Sequence, residues 1–509
     1  MSSEVSGKQI ARNTLFLYFR QLILLAVSLY TIRIILDVLG ASDYGLYNVV
    51  GGIVLMFSFI NAGMIQASQR FLSYEMGCNS GSTLLTKVFA SINTIHWMIA
   101  GVTILLAETI GLWFINTQLN IPEGREIAAN WVYQFSIISF VFGVLGVPFN
   151  ASLIAHERMD VFAYISVGEA ILKLIIVYIV QISFYDKLIT YGFLVLFVAL
   201  LNTSVLWLYC RNYYVECRKY FTFEKGILKR IIGFASWSFV GNIGFSFKNQ
   251  GVNFIINIFF GTTVNAARGV AYSVSSVVSQ FANNFMMAIT PQITKQYAAG
   301  DINNMIKLSF TGSKFSFFLL YIMGLPAIIL APVILKYWLV DIPEYTIIFL
   351  QLAIVLLMVD GLATPIGKAI DATGNNKLFQ ITVAIIMLMD LPISYFLLRN
   401  GYEPYTVMYV ALFTSVIALF ARLAILKKYV PLVSYLSYLK EVIIPSLKVI
   451  VMTIMCVIPI IYYMPNTDII MLLSAILSFV VALIAIYIFG LNLNEQNFVK
   501  NFIKKKIKR

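Results

Sequence analysis

Apolar residues run along this chain in long stretches broken by short polar turns, without the strict alternation of a half-buried strand. Windows of about 20 apolar residues, the length that spans a bilayer as a helix, fall near 13–36, 46–66, 88–115, 129–148, 161–183, 190–210, 232–258, 266–289, 309–335, 345–366, 378–398, 405–426, 442–463 and 468–490. The pattern predicts an all-α polytopic membrane protein of about fourteen transmembrane helices. The first stretch continues from Leu22 to Leu36 with no small-residue cleavage site after a short core, so it is expected to persist as an anchor.

Composition points the same way. Hydrophobic residues make up 60% of the 509 positions and charged residues 12%, with mean hydropathy +0.86; soluble domains carry about 25% charged residues. The placement of the cations gives an orientation. Arg211, Arg218, Lys219, Lys225, Lys229 and Arg230 crowd one connection, Arg422, Lys427, Lys428 and Lys440 others on the same side, and Lys500, Lys504, Lys505, Lys506, Lys508 and Arg509 the tail. The opposite connections hold isolated cations such as Arg125, Lys187, Lys336 and Arg399. The positive-inside rule then puts both termini in the cytoplasm. The net charge of +13 reads as topology plus attraction to anionic lipid, with no role in nucleic-acid binding. Cys78, Cys210, Cys217 and Cys456 have neither disulfide nor metal spacing, and His96 and His156 lie away from them, so no metal is expected.

The chain reads as duplicated. Residues 40–58 lie over 261–279 with Gly40 matching Gly261, and 153–166 lie over 370–383 at nearly the same offset. The expected organisation is an N-terminal lobe of six helices (1–215), a C-terminal lobe of six (226–430), and two further helices with a basic tail (431–509). Parallel repeats of this kind place a substrate site where the repeats meet and work by alternating access.

Cations inside the apolar stretches mark the chemistry, because an unpaired Lys or Arg at mid-membrane costs about 2.5–3.5 kcal/mol on insertion scales. Arg20, Lys248 and Arg268 are the candidates for a hydrated cavity holding an anion. At about 100° per residue, Arg20 shares a stripe with Asn13 and Thr31, and Lys248 a face with Gly241 and Gly244. Arg268, Tyr272, Ser275, Ser279 and Asn283 run down one side of the eighth stretch, and Tyr47, Gly51, Ser58 and Ala62 down the corresponding side of the second. Asn242 adds an amide. Lys173 follows Glu169 by four residues, a local ion pair, and Lys448 sits where it can snorkel. Asp360 and Asp390 are the buried acids, candidates for proton or sodium coupling; Asp390 falls at the repeat position of Lys173, which raises a pair between them. Arg33 and Asp37 close the first helix as a candidate outer gate. No nucleophile–base arrangement, phosphate loop or long extramembrane loop is present, so an enzyme is not expected.

At LDVLGASDYGLYNVVGGIVLMFSFINAGMIQASQRFLSYEMG (36–77), with its LG…YG…N pattern and Arg70, and at the IAHERMD turn (154–160), the chain resembles the Wzx-type polysaccharide flippases of the multidrug/oligosaccharidyl-lipid/polysaccharide (MOP) superfamily. The likeness extends over nearly the whole chain. It implies a two-lobed bundle with a cationic cavity, to which Arg20 and Arg268 correspond by helix position, and a cargo of undecaprenyl-pyrophosphate-linked oligosaccharide moved from the cytoplasmic to the periplasmic leaflet of the inner membrane for O-antigen, capsule or exopolysaccharide assembly. Other polysaccharide-assembly membrane proteins are the implied partners, and no cofactor is. The rival readings are a multidrug antiporter of the same superfamily, which needs acids at its cavity, and a membrane glycan polymerase, which needs a sizeable periplasmic loop.

Overall fold

The computed structural model describes residues 2–56, 58–78, 82–118, 121, 124–219, 221–339, 342–463, 467–497 and 500. The element order is all-helical: α1 (Ser2–Met56), α2 (Ser58–Gly77), α3 (Ser82–Leu106), α4 (Leu112–Gln118), α5 (Glu126–Ala155), α6 (Met159–Gln181), α7 (Lys187–Tyr213), α8 (Lys225–Ala298), α9 (Ile302–Trp338), α10 (Thr346–Thr373), α11 (Lys377–Leu388), α12 (Asp390–Arg399), α13 (Thr406–Tyr429), α14 (Tyr435–Tyr438), α15 (Ile444–Tyr463) and α16 (Asp468–Ala485). Each of the fourteen predicted stretches falls on a helical run to within two residues, residue 57 aside. Among the described residues nine runs are long and apolar enough by themselves to cross a membrane. This is an all-α polytopic membrane protein.

The helices outrun the apolar windows. α1 begins at Ser2, well before residue 13, and α8 covers 225–298 where the pattern predicts two helices, 232–258 and 266–289. Backbone hydrogen bonds continue a helix into the polar layer whatever its side chains, so hydropathy locates a helix and misses its ends. The polar turns expected after 36 and after 258 reduce to a bend at one residue each. Gly40 (φ 76°, ψ 165°) and Gly261 (φ 76°, ψ −169°) adopt the same conformation, one open almost exclusively to glycine. The second repeat match is echoed as well. Glu157, between α5 and α6, has φ 60°, and its counterpart Gly374, between α10 and α11, has φ 82°.

The chain divides into two compact units, 1–242 with 294–300, and 243–293 with 301–509. In the first, Phe71, Phe89, Phe149, Leu153 and Phe234 centre an apolar cluster built from α2, α3, α5, α7 and the start of α8, and Val50, Ile115, Val132 and Tyr133 centre another. Polar ties fix the helix ends of this unit. Arg125 bonds both Asp43 and Asp186, and Asp186 also caps α7. In the second unit α9, α10 and α13 form the core, with α16 against α9. Lipid tails are as apolar as leucine, so close approach of helices supplies the packing energy here. At Gly244 an added Cβ would lie 2.8 Å from that of Ala384, and at Gly251 2.5 Å from Leu391. These two residues let α8 lie directly on α11 and α12.

Candidate functional site

Gly244 and Gly251 flank Lys248 by one turn on either side, and the close approach they permit decides what Lys248 does. Its Nζ meets Asp390 at 2.7 Å, with Lys248 7% and Asp390 0% exposed. The hydroxyl of Thr414 donates to the other carboxylate oxygen. A local break presents Asp390 to this partner: α11 and α12 part at Met389, where Pro392 cannot donate to the turn before it. Two expectations are therefore corrected. Lys248 is not a free cavity cation, and Asp390 pairs with it and not with Lys173, which bonds Glu169 at 2.6 Å as the local spacing predicts. Desolvating a lone ammonium costs more than its own helix can repay, so the two buried charges find each other across helices.

Asp360 on α10 lies in the same region, within electrostatic reach of Arg422, Lys248 and Asp390 and near Ser415. Arg422, read from the sequence as one of the basic residues of a connection, sits within α13, with its Cζ 5.9 Å from the centre of the Phe379 ring and Nη1 buried without a hydrogen-bond partner. The two acids expected to couple an ion thus each have a built-in cation beside them.

Arg268 differs. It is 6% exposed, bonds the side-chain oxygen of Asn253, reaches the Tyr272 hydroxyl at 3.4 Å, and lies 4.6 Å over the Tyr272 ring. Its Nε is buried with no hydrogen-bond partner. Among the described residues no carboxylate pairs with it. Asn265 bonds the Asn253 carbonyl at 2.9 Å and steadies that residue. Sequence reasoning misses Asn253, which lies just beyond Gly251; its register with Arg268 is hidden by the bend at Gly261. The rest of the predicted stripe follows α8. Ser275 is buried and Ser279 half-buried, each hydroxyl bonded to a backbone carbonyl of the preceding turn, and Asn283 is exposed.

In the first unit Arg20 is half-buried, 4.8 Å over the Phe162 ring, with Nε lacking a partner and Glu169 as the nearest carboxylate influence. Asn13 is not a lining group: it is buried and donates to the Glu157 carbonyl at 3.1 Å, tying α1 to the α5–α6 turn. The same Glu157 holds Lys295 at 2.6 Å, a pair that sequence spacing could not reveal. Thr31 returns its hydroxyl to Val27, 2.7 Å away. Tyr47 packs edge-on to Tyr191, centroids 4.8 Å apart, against the apolar cluster, and Asn242 is exposed. The side chains of Ser58 and Arg33 lie outside the described residues; Asp37 is exposed.

The helical fold matches solved structures over most of the chain. The fold is that of the MATE transporters. A mutant of the Vibrio cholerae MATE transporter VcmN is 14% identical, with 85% of this chain and 98% of that one covered and a TM-score of 0.68. A MATE protein in the straight conformation is 14% identical over 83% of this chain and 97% of that one, TM-score 0.70. A MOP superfamily transporter from Pyrococcus furiosus, described as having a binding pocket of reverse polarity that suggests a different function, is 12% identical over 83% and 96%, TM-score 0.68. No family profile matches the sequence. No curated protein matches it.

Proposed function

We propose that this chain is a membrane transporter that moves an undecaprenyl-pyrophosphate-linked oligosaccharide from the cytoplasmic to the periplasmic leaflet of a bacterial inner membrane by alternating access, for O-antigen, capsule or exopolysaccharide assembly. Arg268 carries this reading. A buried guanidinium held by an amide and a phenol has donors to spare, and a diphosphate is the ligand whose charge and geometry complete it. Arg20, half-buried over the Phe162 ring with its Nε unpartnered and Glu169 in electrostatic reach, is a second candidate cation. Tyr272 and the stripe below it supply hydroxyl, amide and aromatic partners for sugars. Both termini are cytoplasmic in this reading, the prenyl tail stays in lipid, no cofactor takes part, and other polysaccharide-assembly membrane proteins act before and after.

A multidrug antiporter is the second reading, and the fold neighbours favour it. The charges weigh against it: an organic cation needs an unpaired acid, and Asp390 is occupied by Lys248 while Asp360 lies beside Arg422. The pocket of reverse polarity described for the Pyrococcus furiosus transporter offers a parallel for an altered cargo on this fold. Proton or sodium coupling through Asp360 or Asp390 requires the ion to compete with those resident cations.

The test is deletion of the gene followed by mass spectrometry of lipid-linked sugars facing the cytoplasm. The proposal expects accumulation, relieved by the wild-type chain and not by Arg268→Gln. Unchanged lipid-linked sugar with lost efflux of a cationic dye would contradict it.

A further inference from the structure

The connection between α7 and α8 is short and is held down at three places. Tyr214, Glu216 and Cys217 are buried; His156 meets Glu216 at 2.6 Å and stacks on Tyr214 with ring centres 3.9 Å apart and planes 2° from parallel. The Thr222 amide donates to Thr94 Oγ1 at 3.3 Å, and Glu224 pairs with Lys87 at 2.7 Å. Pinned in this way, the segment turns another set of side chains outward. Arg211, Arg218, Lys219, Lys225, Lys229 and Arg230 are exposed. Tyr213, Val215, Phe221 and Phe223 are exposed among them. Of the two carboxylates within 211–230, Glu216 is buried against His156 and Glu224 is paired with Lys87, so the cations dominate the charge of the outward surface.

We infer that residues 211–219 and 221–230 form a binding surface for the headgroups of anionic phospholipids in the surrounding bilayer. The segment joins the end of α7, one of the runs able to cross a membrane, to the start of α8, whose first apolar stretch (232–258) is expected to cross it, which puts the segment in the headgroup layer. There the aromatic rings settle at the acyl boundary and the cations meet phosphate oxygens. A signal for topology needs a count of positive charges. It needs neither the three anchors nor the exposed rings, and these are what make the segment a surface of fixed shape. The inference stands apart from the cargo proposal, and its failure leaves that proposal intact.

The test uses the full chain, stripped of lipid in detergent and titrated with phosphatidylglycerol, phosphatidylcholine or inorganic phosphate while the thermal unfolding midpoint is read. Phosphatidylglycerol should raise the midpoint saturably, phosphatidylcholine and inorganic phosphate should leave it unmoved, and high salt should suppress the rise. Each lost cation near the surface should raise the half-saturating concentration about fivefold. The variant Arg218→Gln/Lys219→Gln/Lys225→Gln/Lys229→Gln should therefore lose the response over the accessible range, and Phe221→Ser/Phe223→Ser should weaken it with all charges retained. Lys187→Gln/Arg399→Gln, on the opposite connections, should respond as wild type. Equal responses to the two lipids, or a rise in wild type indifferent to salt, would overturn the inference and leave the basic residues as a topology signal alone.

Discussion

Lys248→Met is the perturbation whose outcome the structure constrains most tightly. The substitution keeps length and apolar contact and removes the ammonium 2.7 Å from Asp390. At an effective dielectric of 20 that separation corresponds to about 6 kcal/mol of Coulomb attraction, most of which repays desolvation of the two charges. With Lys248 gone, Asp390 remains at 0% exposure with the Thr414 hydroxyl as its bonded donor. Breaking a buried pair from one side costs about 3–5 kcal/mol, whereas replacing both partners by apolar groups is close to neutral. Lys248→Met should therefore lower the thermal midpoint of the purified protein and its yield, and Lys248→Met/Asp390→Leu should recover most of the loss. The order of midpoints across wild type, both single variants and the double gives the coupling directly. A single variant as stable as wild type, or a double no better than the worse single, would refute the reasoning. The double variant also separates fold from transport: if it exports glycan, the charge at 248 serves structure.

Three further outcomes follow from the same geometry. Gly40→Ala and Gly261→Ala should each cost about 1–3 kcal/mol from backbone strain, since nothing lies within 4 Å of an added Cβ at either position; unchanged thermal midpoints would count against the bends as shown. Burial pushes the Glu216 carboxyl up, but the His156 hydrogen bond, with backbone and Ser152 support, outweighs it and holds the group below its ordinary value of 4.5. Its stabilising contribution is thus present above about pH 4.5 and fades as pH falls through the lower folded value, so Glu216→Gln should flatten the acid limb of a stability–pH curve, and an unaltered limb would sink the assignment. Lys295→Met should destabilise by removing the ammonium that pairs with the buried Glu157 carboxylate, by about 3 kcal/mol, and Lys295→Met/Glu157→Gly should recover much of that by also relieving the left-handed residue, as unfolding midpoints would report.

What could be read in advance divides by range along the chain. The helices were legible because 20 apolar residues in succession are a local signal, and the pair Lys173–Glu169 because four residues on a helix are neighbours. The bends at Gly40 and Gly261 were visible as matched glycines, though as turns between separate helices. The pairs Lys248–Asp390 and Lys295–Glu157 were not legible, since each joins residues brought together by helix packing and no spacing encodes them. Arg422 falls inside the apolar stretch 405–426, but its nearness to Lys427 and Lys428 groups it with the basic connection that follows. Asn13 shares a stripe with Arg20, which predicts a common role, but one helix face serves both a neighbouring turn and a half-buried cation.

The central claim is that Arg268 meets a phosphate of the cargo, and the most direct measurement is binding of a lipid-pyrophosphate oligosaccharide to the purified full chain and to Arg268→Gln and Arg268→Lys. Loss of one partner from a buried charged hydrogen bond costs about 2–5 kcal/mol, so Arg268→Gln should weaken binding about 30-fold or more, with a smaller loss in Arg268→Lys and thermal midpoints near wild type. Equal affinity in all three proteins would contradict the account.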